Sequence, residues 1–319
     1  MAAVLTMLPG DELLPRVLPT DRLTAAARPA PEVREALRRI PDARNAMTVA
    51  GVYLQSFGVI WAANRIGHPL AWAAAFVLMG RAFALYGILG HEAAHRLLFS
   101  RKPVNDFVGR WLLGYPSFTP FDLYRRSHMA HHKEEFGPTE PDLGLYNGYP
   151  ITRASFRRKL TRDAFFVSGW KNLKPLAKGL LSKTSRALAL KILASQAAAV
   201  LLIWALTGKP WLYLVLWLAP EMTVWRVINR LRAIAEHGGM TRSDDRRLTT
   251  HVVRQHWLAR FWMVPYKTGW HLAHHVDSGI PFRRLPDLHA ELVAAGWVAD
   301  GLEYPSYTAL WRRLASRPA

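Results

Sequence analysis

Four long apolar stretches, arranged as two pairs, constrain the fold of this 319-residue chain more than any other feature. The first pair covers about residues 47–66 and 69–90, and the second about residues 188–206 and 210–226. A helix needs about 20 apolar residues to cross a bilayer, so each stretch predicts a transmembrane helix. A short turn containing glycine and proline separates the members of each pair. We therefore expect an all-α integral membrane protein with four transmembrane helices in two hairpins.

The distribution of charge predicts how these helices are oriented. The chain has a net charge of +19, yet the two interhelical turns carry only Arg65 and Lys209 as basic residues. Because cytoplasmic loops are rich in Lys and Arg, we expect both termini and all long polar segments to be cytoplasmic, at the inner or cell membrane. A basic chain can also indicate a nucleic-acid-binding protein, but such proteins rarely contain long apolar runs. No nucleic-acid partner is expected.

Three other regions have a composition that predicts their environment. Residues 107–118 are apolar but too short to span a membrane, which suits a re-entrant or interfacial element. Residues 154–183 interleave Lys and Arg with Phe, Trp and Leu, as do helices on an anionic membrane surface. A docking face for an acidic partner protein is a second use of the same residues. Arg81 lies within the second predicted span, where a charge usually faces the protein interior and has a partner.

Histidine clusters in the polar segments carry the chemistry. The first is HEAAH from residue 91 to 95, and two triplets follow, HMAHH from residue 128 to 132 and HLAHH from residue 271 to 275. On a helix, positions i, i+3 and i+4 share one side, so we expect each triplet to direct its three imidazoles to one point. Neutral imidazole is the commonest metal ligand. With a ninth histidine beyond the fourth span, the candidate ligands are His91, His95, His128, His131, His132, His237, His271, His274 and His275.

The number of candidate ligands indicates two metal ions. One metal takes four to six ligands, so eight or nine histidines are too many for one ion. The chain has no cysteine, which excludes disulfides and thiolate-bound clusters within it. His68, His251, His256 and His289 lack the box pattern, and we interpret His68 as lying on the other side of the membrane and the rest as surface or structural residues.

The histidine boxes resemble those of the membrane fatty acid desaturase and hydroxylase superfamily in type, order and placement around two hairpins. The flanking residues are similar too, with Gly90 before the first box, Tyr124-Arg125 before the second and PFRRLPDLH after the third. The resemblance covers roughly residues 45–292. It implies a non-haem di-iron centre held by the nine histidines, molecular oxygen as co-substrate, and a fatty-acyl or related lipid substrate from the bilayer. One departure is that acyl-CoA desaturases have asparagine at the position of Ala233, four residues before His237.

The resemblance also organises the rest of the chain. Residues 1–45 are predicted to be a cytoplasmic N-terminal segment, residues 46–292 the membrane desaturase-like domain, and residues 293–319 a cytoplasmic C-terminal tail. The polar segments of the domain would form a helical cytoplasmic cap that holds the metals. The chain shows no dinucleotide-binding fingerprint and no cysteine for an iron–sulfur cluster. We therefore expect electrons from an external ferredoxin-like donor.

Carboxylates close to the boxes are candidates for fixing the imidazole tautomers by hydrogen bonds. They are not expected to bind metal themselves, and beyond the metal ligands no separate catalytic residue is predicted. The candidates are Glu92, Asp142, Glu236 and Asp277.

The histidine motifs restrict the type of reaction more than they restrict the substrate. Desaturation of a fatty-acyl or fatty acid chain is the favoured reaction, and the alternatives within the superfamily are decarboxylation to a terminal alkene and hydroxylation of a lipid, alkane or carotenoid. A membrane zinc metallopeptidase is a remote alternative, because His91, Glu92 and His95 satisfy the HExxH pattern with Glu92 as general base. That alternative leaves both triplets unexplained. A third class is a non-enzymatic membrane metal binder or transporter. Its ligands are expected within the transmembrane spans, whereas the histidine boxes of this chain lie outside the predicted spans.

Overall fold

The fold is mostly helical in the residues that the computed structural model describes, 6–17 and 19–318. Strands in this part of the chain are confined to one parallel pair, β1 (Val252–Val253) with β2 (Glu303–Tyr304). The helices are α1 (Pro31–Leu37), α2 (Asp42–Ile66), α3 (Pro69–Ala94), α4 (Lys102–Phe107), α5 (Phe121–Lys133), α6 (Leu143–Tyr146), α7 (Arg153–Ala164), α8 (Val167–Leu181), α9 (Arg186–Thr207), α10 (Ala219–Met222), α11 (Val224–His237), α12 (Trp257–Trp262), α13 (His271–Val276), α14 (Leu285–Ala294) and α15 (Tyr307–Leu314).

The chain forms two compact units, each assembled from separate parts of the sequence. The first unit consists of the described residues of Met1–Ile40, Arg126–Arg157 and Arg230–Ala319. The second unit consists of Pro41–Arg125 and Arg158–Asn229. The division into residues 1–45, 46–292 and 293–319 rests on the family resemblance and stays a prediction.

Three helices of the described chain are long and apolar enough to cross a membrane, α2, α3 and α9. They coincide with the first three predicted spans. The helices α2 and α9 end in the same way, with Gly67 and Gly208 at φ values of 68° and 71°. Glycine adopts this left-handed conformation without a steric penalty, which makes it a common helix terminator. A proline follows each of them by two residues, so both predicted turns are present.

The fourth apolar stretch does not form one long helix. Residues Leu214–Leu218 are a π-helix, α10 follows, and Thr223 at φ −127° and ψ −82° separates α10 from α11. Pro220 explains the irregularity, because it has no N–H to bond the carbonyl four residues earlier and its ring collides with that turn. The fourth transmembrane span, and with it the four-span topology, therefore stays a prediction.

Two buried polar side chains on the long helices of the second unit, Arg81 and Gln196, have hydrogen-bond partners. The Arg81 guanidinium donates to Gln55 Oε1 at 2.9 Å, which confirms that this charge on α3 has a partner inside the protein. Gln196 on α9 accepts from the Tyr213 hydroxyl at 2.9 Å and donates to the Tyr115 carbonyl at 2.6 Å. Hydrogen bonds of this kind are needed because an unsatisfied polar group buried among apolar side chains is costly.

The short apolar segment after α4 is irregular, as its length suggests. It continues from α4 as a π-helix over Val108–Gly114 and ends in a 3-10 turn over Tyr115–Ser117. The Tyr53 hydroxyl on α2 donates to the Leu112 carbonyl at 2.8 Å and ties this segment to the helix. Whether the segment re-enters a membrane stays a prediction.

The basic and aromatic stretch predicted at residues 154–183 forms α7 and α8. Trp170 is 57% exposed and Leu181 is 85% exposed, and Lys174 and Lys178 lie between them in sequence on α8. Exposed apolar side chains beside lysines are typical of a helix at a lipid surface. That these helices lie on an anionic membrane surface stays a prediction.

Candidate metal centre

Seven of the nine candidate histidines come together within the first unit. His128, His131 and His132 lie on α5, His237 is the last residue of α11, and the third box forms α13. Gly238 and Gly239 follow His237, and Gly239 has a φ of +76°, so α11 ends at this histidine. Every one of the seven side chains is buried except His132, which is half-buried.

The first group of imidazoles contains three rings, two from the triplet on α5 and one from the triplet on α13. His132 Nε2 lies 3.1 Å from His128 Nε2 and 3.0 Å from His274 Nε2. A nitrogen of each ring lies within 4.8 Å of the others. Three imidazoles with converging nitrogens are a metal-binding arrangement. We call these residues the 128/132/274 group.

The second group contains four imidazoles. His271 Nε2 lies 3.0 Å from His237 Nε2 and 3.0 Å from His275 Nε2. Nitrogens of His131, His237 and His275 lie within 4.8 Å of one another. We call these four residues the 131/237/271/275 group.

Each triplet is divided between the two groups, contrary to the expectation that all three imidazoles of a box meet at one point. His128 and His132 belong to one group and His131 to the other; on α13, His271 and His275 separate from His274 in the same way. Helix geometry explains this, because residues four apart differ by about 40° around the axis whereas residues three apart lie about 60° to the opposite side. One triplet therefore serves two adjacent sites.

The Nδ1 atoms of the 131/237/271/275 group face acceptors. His131 Nδ1 lies 2.5 Å from Glu140 Oε1, and His275 Nδ1 lies 2.5 Å from Glu135 Oε1. His237 Nδ1 donates to the Thr249 carbonyl at 2.8 Å. A ring whose Nδ1–H donates outward has the lone pair on Nε2 free for a metal, which is the usual arrangement around a protein-bound ion.

The donor set fits a cation between these rings. In the tautomers just described, His237 and His275 present Nε2 lone pairs, and both approach His271 Nε2 to 3.0 Å. His271 has at most one Nε2–H to share between them, so at least one lone pair faces another acceptor. Burial lowers the pKa of His237 and of His275 well below the ordinary value, so both rings are neutral at pH 7. A metal ion would satisfy all of these nitrogens together.

His131 differs from its neighbours in the direction of its pKa shift. Burial opposes the charged form, but the hydrogen bond and the charge of Glu140 outweigh it and raise the pKa of His131. Glu140 also accepts from the backbone N–H of Phe136, so its carboxylate is held in place from two sides. The carboxylate thus fixes the orientation of the ring and increases its basicity as a ligand.

The other two candidate ligands lie together in the second unit. His91 is within the last turn of α3, His95 caps it, and their ring centroids are 4.9 Å apart. Arg125 donates to the Ala93 and Ala94 carbonyls at 3.1 Å, which holds the end of this helix. That His91 and His95 are metal ligands stays a prediction.

The salt bridge that anchors Arg125 is strong. Arg125 lies 2.5 Å from Asp106, and Arg96 bonds the same carboxylate at 3.1 Å. Burial alone would raise the pKa of Asp106, but these hydrogen bonds lower it to about 2. The arginine before the second box therefore supports the first box.

The four carboxylates proposed from the sequence have different surroundings. Glu92 is buried on α3 in the second unit. Glu236 bonds Arg232 at 2.6 Å and lies 3.6 Å from His271 Nδ1, and burial raises its pKa. Burial also raises the pKa of Asp142, which interacts with His131 through its charge. Asp277 bonds the Arg34 side chain. Their role as supports of the metal ligands stays a prediction.

The carboxylates that hold the rings most directly, Glu135 and Glu140, were not singled out in the sequence. A signal was present in the sequence, because both follow the second box within nine residues. The Thr249 carbonyl had no such signal, since every residue has a carbonyl group. Only the structure shows that the two carboxylates are buried beside the histidines.

Two of the remaining histidines, His251 and His256, fit the interpretation as structural and surface residues, and the position of His68 on the other side of the membrane stays a prediction. His251 is buried and its Nε2 bonds the Gly238 carbonyl at 2.8 Å, and burial lowers its pKa to about 4. His68 caps α3 by accepting from Leu70 N at 3.2 Å, and His256 is exposed.

We expect Glu135→Gln to weaken iron binding by about 10–100-fold, the usual effect of removing a support of a metal ligand. Glu135 contacts His275 and also bonds Arg246 at 2.8 Å, so its charge matters to both. Glu134→Gln is the matched control, because the neighbouring Glu134 contacts Thr139 instead of a histidine. Competition with a chromogenic chelator measures the affinity. Equal iron affinity in the two variants would contradict this role.

Comparisons with known proteins agree with one another. A family model described as fatty acid desaturase matches residues 67–308. Dihydrorhizobitoxine desaturase of Bradyrhizobium elkanii is 26% identical over 234 residues, which are 66% of this chain and 66% of that protein. The sn-1 oleoyl-lipid 12-desaturase of Anabaena variabilis is 35% identical over 65 residues, 20% of this chain and 17% of that protein. The chloroplastic omega-6 fatty acid desaturase of Glycine max is 39% identical over 64 residues, 20% of this chain and 14% of that protein. The chain thus spans just under two thirds of the first relative and a much smaller part of the others.

Proposed function

Because the chain belongs to the fatty acid desaturase family, we propose that it is a membrane oxidase that uses molecular oxygen to desaturate a fatty-acyl or fatty acid chain. The observation that carries the proposal is the convergence of the Nε2 atoms of both triplets, with Nδ1 hydrogen bonds on the outer side of the 131/237/271/275 group. A packing role would not require that arrangement.

The two groups of histidines would hold two iron ions. His128, His132 and His274 would bind one ion and the 131/237/271/275 group the other. We propose His91 and His95 as the further ligands. When bound, the iron pair would supply the redox chemistry by which oxygen oxidises an unactivated C–H bond. Ligation by neutral nitrogens suits iron and other redox-active transition metals better than it suits calcium or magnesium.

The chain's own residues orient and tune the ligands in this reaction. Glu135, Glu140 and the Thr249 carbonyl hold three rings in the tautomer that presents Nε2 to the metal. Burial of all but one of the seven rings limits their contact with bulk water. The overall reaction balances as the loss of two hydrogen atoms from adjacent methylenes, with oxygen accepting these and two further electrons and protons to form two waters. An external ferredoxin-like donor would supply the two electrons.

The proposal places the substrate and the protein in a membrane. The helices α2, α3 and α9 would be embedded in the bilayer, and the histidines would face the cytoplasm. An acyl chain in the bilayer gains about 0.8 kcal/mol for each methylene that moves from water to an apolar environment, so lipid is the natural source of the substrate.

The reaction type is tested by feeding uniformly ¹³C-labelled fatty acid to cells that express the protein. We expect an unsaturated product that keeps every labelled carbon and appears only with oxygen and a reductant. Mass spectrometry of the lipid and hydrocarbon fractions gives the carbon count. Cells expressing His131→Ala provide the control, because they contain the same membrane protein without a complete metal site.

Decarboxylation and hydroxylation give different results in the same experiment. A terminal alkene one carbon shorter than the substrate, formed together with labelled carbon dioxide, would show that the reaction is decarboxylation and not desaturation. A product heavier than the substrate by one oxygen atom would show that the reaction is hydroxylation. Product formed without oxygen would refute the oxidase proposal altogether.

A further inference from the structure

A cavity of about 800 Å³ in the first unit opens next to the histidines. His132 and His275 lie in its wall, so it reaches one member of each histidine group. The remaining wall comes from the segment around α1, from Arg246, and from the residues that follow α13. A volume of this size is in the range of sites that bind small molecules. We call it the arginine cavity, after Arg28, Arg34, Arg38 and Arg246 in its lining.

The charges of the arginine cavity are unbalanced. Its lining contains these four arginines and two carboxylates, Glu35 and Asp277. Arg34 bonds Asp277, and Arg246 bonds Glu135 behind the wall. Arg28 and Arg38 are exposed, and within residues 6–17 and 19–318 neither side chain forms an ion pair. Two guanidinium groups are therefore available for a negatively charged ligand.

We propose that the arginine cavity binds the carboxylate of a free-acid substrate through Arg28 and Arg38. Guanidinium groups bind carboxylates with paired hydrogen bonds, which gives both affinity and orientation. The inference rests on the proposed function only in treating the ligand as the substrate. With the carboxylate in a cavity whose wall includes His132 and His275, the carbons near the acid end are the ones presented to the metals.

A carboxylate fits this site better than an acidic protein partner does. The arginines line a concave space together with Glu35 and Asp277, and a folded protein surface enters such a space poorly. The two carboxylates would also repel an acidic surface, whereas a single small anion can contact arginines alone. The link from Arg246 through Glu135 to His275 further connects the cavity to the metal ligands.

The test is equilibrium dialysis of radiolabelled octanoate against the metal-loaded full chain in detergent, without oxygen or electron donor. We expect Arg28→Gln and Arg38→Gln each to weaken octanoate binding by about tenfold, and the double variant by about 100-fold. Glu35→Gln removes a negative charge from the lining and should strengthen binding. Arg39→Gln is the matched control, because Arg39 is exposed, adjacent to Arg38 and absent from the lining.

Neutral octanamide separates charge recognition from binding of the hydrocarbon chain, and its affinity should be the same in all variants. Unchanged octanoate affinity in the double variant would overturn the proposal. If that variant also accepts electrons more slowly from a reduced ferredoxin, the arginines serve to dock the electron donor instead. If octyl phosphate binds more tightly than octanoate and loses more affinity in the double variant, the cavity binds a phosphate group and the proposal of a carboxylate is wrong. A double variant that loses octanoate binding but still oxidises its substrate as fast as the wild type refutes the cavity assignment alone. A wild-type protein that binds octanoate but oxidises no fatty acid refutes the proposed function alone.

Discussion

We expect His131→Ala and His274→Ala each to remove at least one iron per chain and to lower oxygen-dependent product formation by more than about 100-fold. The expectation exceeds the 10–100-fold loss typical of a residue that only supports a ligand, because each substitution deletes a ligand itself. His131 belongs to the four-histidine group and His274 to the other, so the pair probes both proposed ions. Elemental analysis of purified protein and product quantification measure the two effects.

His256→Ala is the control for this experiment, because His256 is exposed and belongs to neither group. It should keep about two irons per chain and full activity, as the wild type does. Gel filtration and circular dichroism show that each variant is folded. One zinc per chain and negligible iron in the wild type would refute the di-iron centre and restore the metallopeptidase alternative based on His91, Glu92 and His95.

A cysteine introduced at position 134 should stay unlabelled by an impermeant thiol reagent in intact cells and become fully labelled after permeabilisation. The chain has no cysteine of its own, so every label reports the introduced site. Glu134 directly follows α5 and lies two residues after the second box, in the segment that the excess of basic residues predicts to be cytoplasmic.

Lys209→Cys is the matched control on the other side. Lys209 is exposed in the turn after α9 and should be labelled in intact cells. Mass spectrometry or a gel shift of the labelled protein gives the yield at each position. The predicted topology fails if Glu134→Cys is labelled in intact cells as completely as Lys209→Cys.

The proposed free acid bears on the choice between desaturation and decarboxylation. If the carboxylate occupies the arginine cavity, its neighbouring carbons lie closest to His132 and His275. Both reactions begin by removing hydrogen from such a carbon, and they differ in whether the carboxyl carbon is kept. The carbon count of the product therefore decides between them, while octanoate binding tests the cavity.

The sequence by itself determined the features that depend on neighbouring residues. Runs of apolar side chains predict spanning helices from length alone, and α2, α3 and α9 agree with three of the four runs. Gly67 and Gly208 mark the turns because glycine tolerates a positive φ. Histidines three and four residues apart lie on one side of a helix, so the boxes were recognisable as ligand sets. Arg81 required a partner because an isolated charge is costly in an apolar environment.

Only the tertiary structure decided which side chains meet. Helix geometry separates the members of each triplet, but only the folded chain brings His132 to His274 and Glu135 to His275, which lie 142 and 140 positions apart. Asp277 follows the third box in sequence yet bonds Arg34, and Glu135 instead reaches His275. The arginine cavity likewise combines Arg28 and Arg38 with His132 and His275. Local sequence sets secondary structure through backbone geometry and hydropathy, whereas the choice of partner for each charged or polar group depends on long-range packing, which has no local signature.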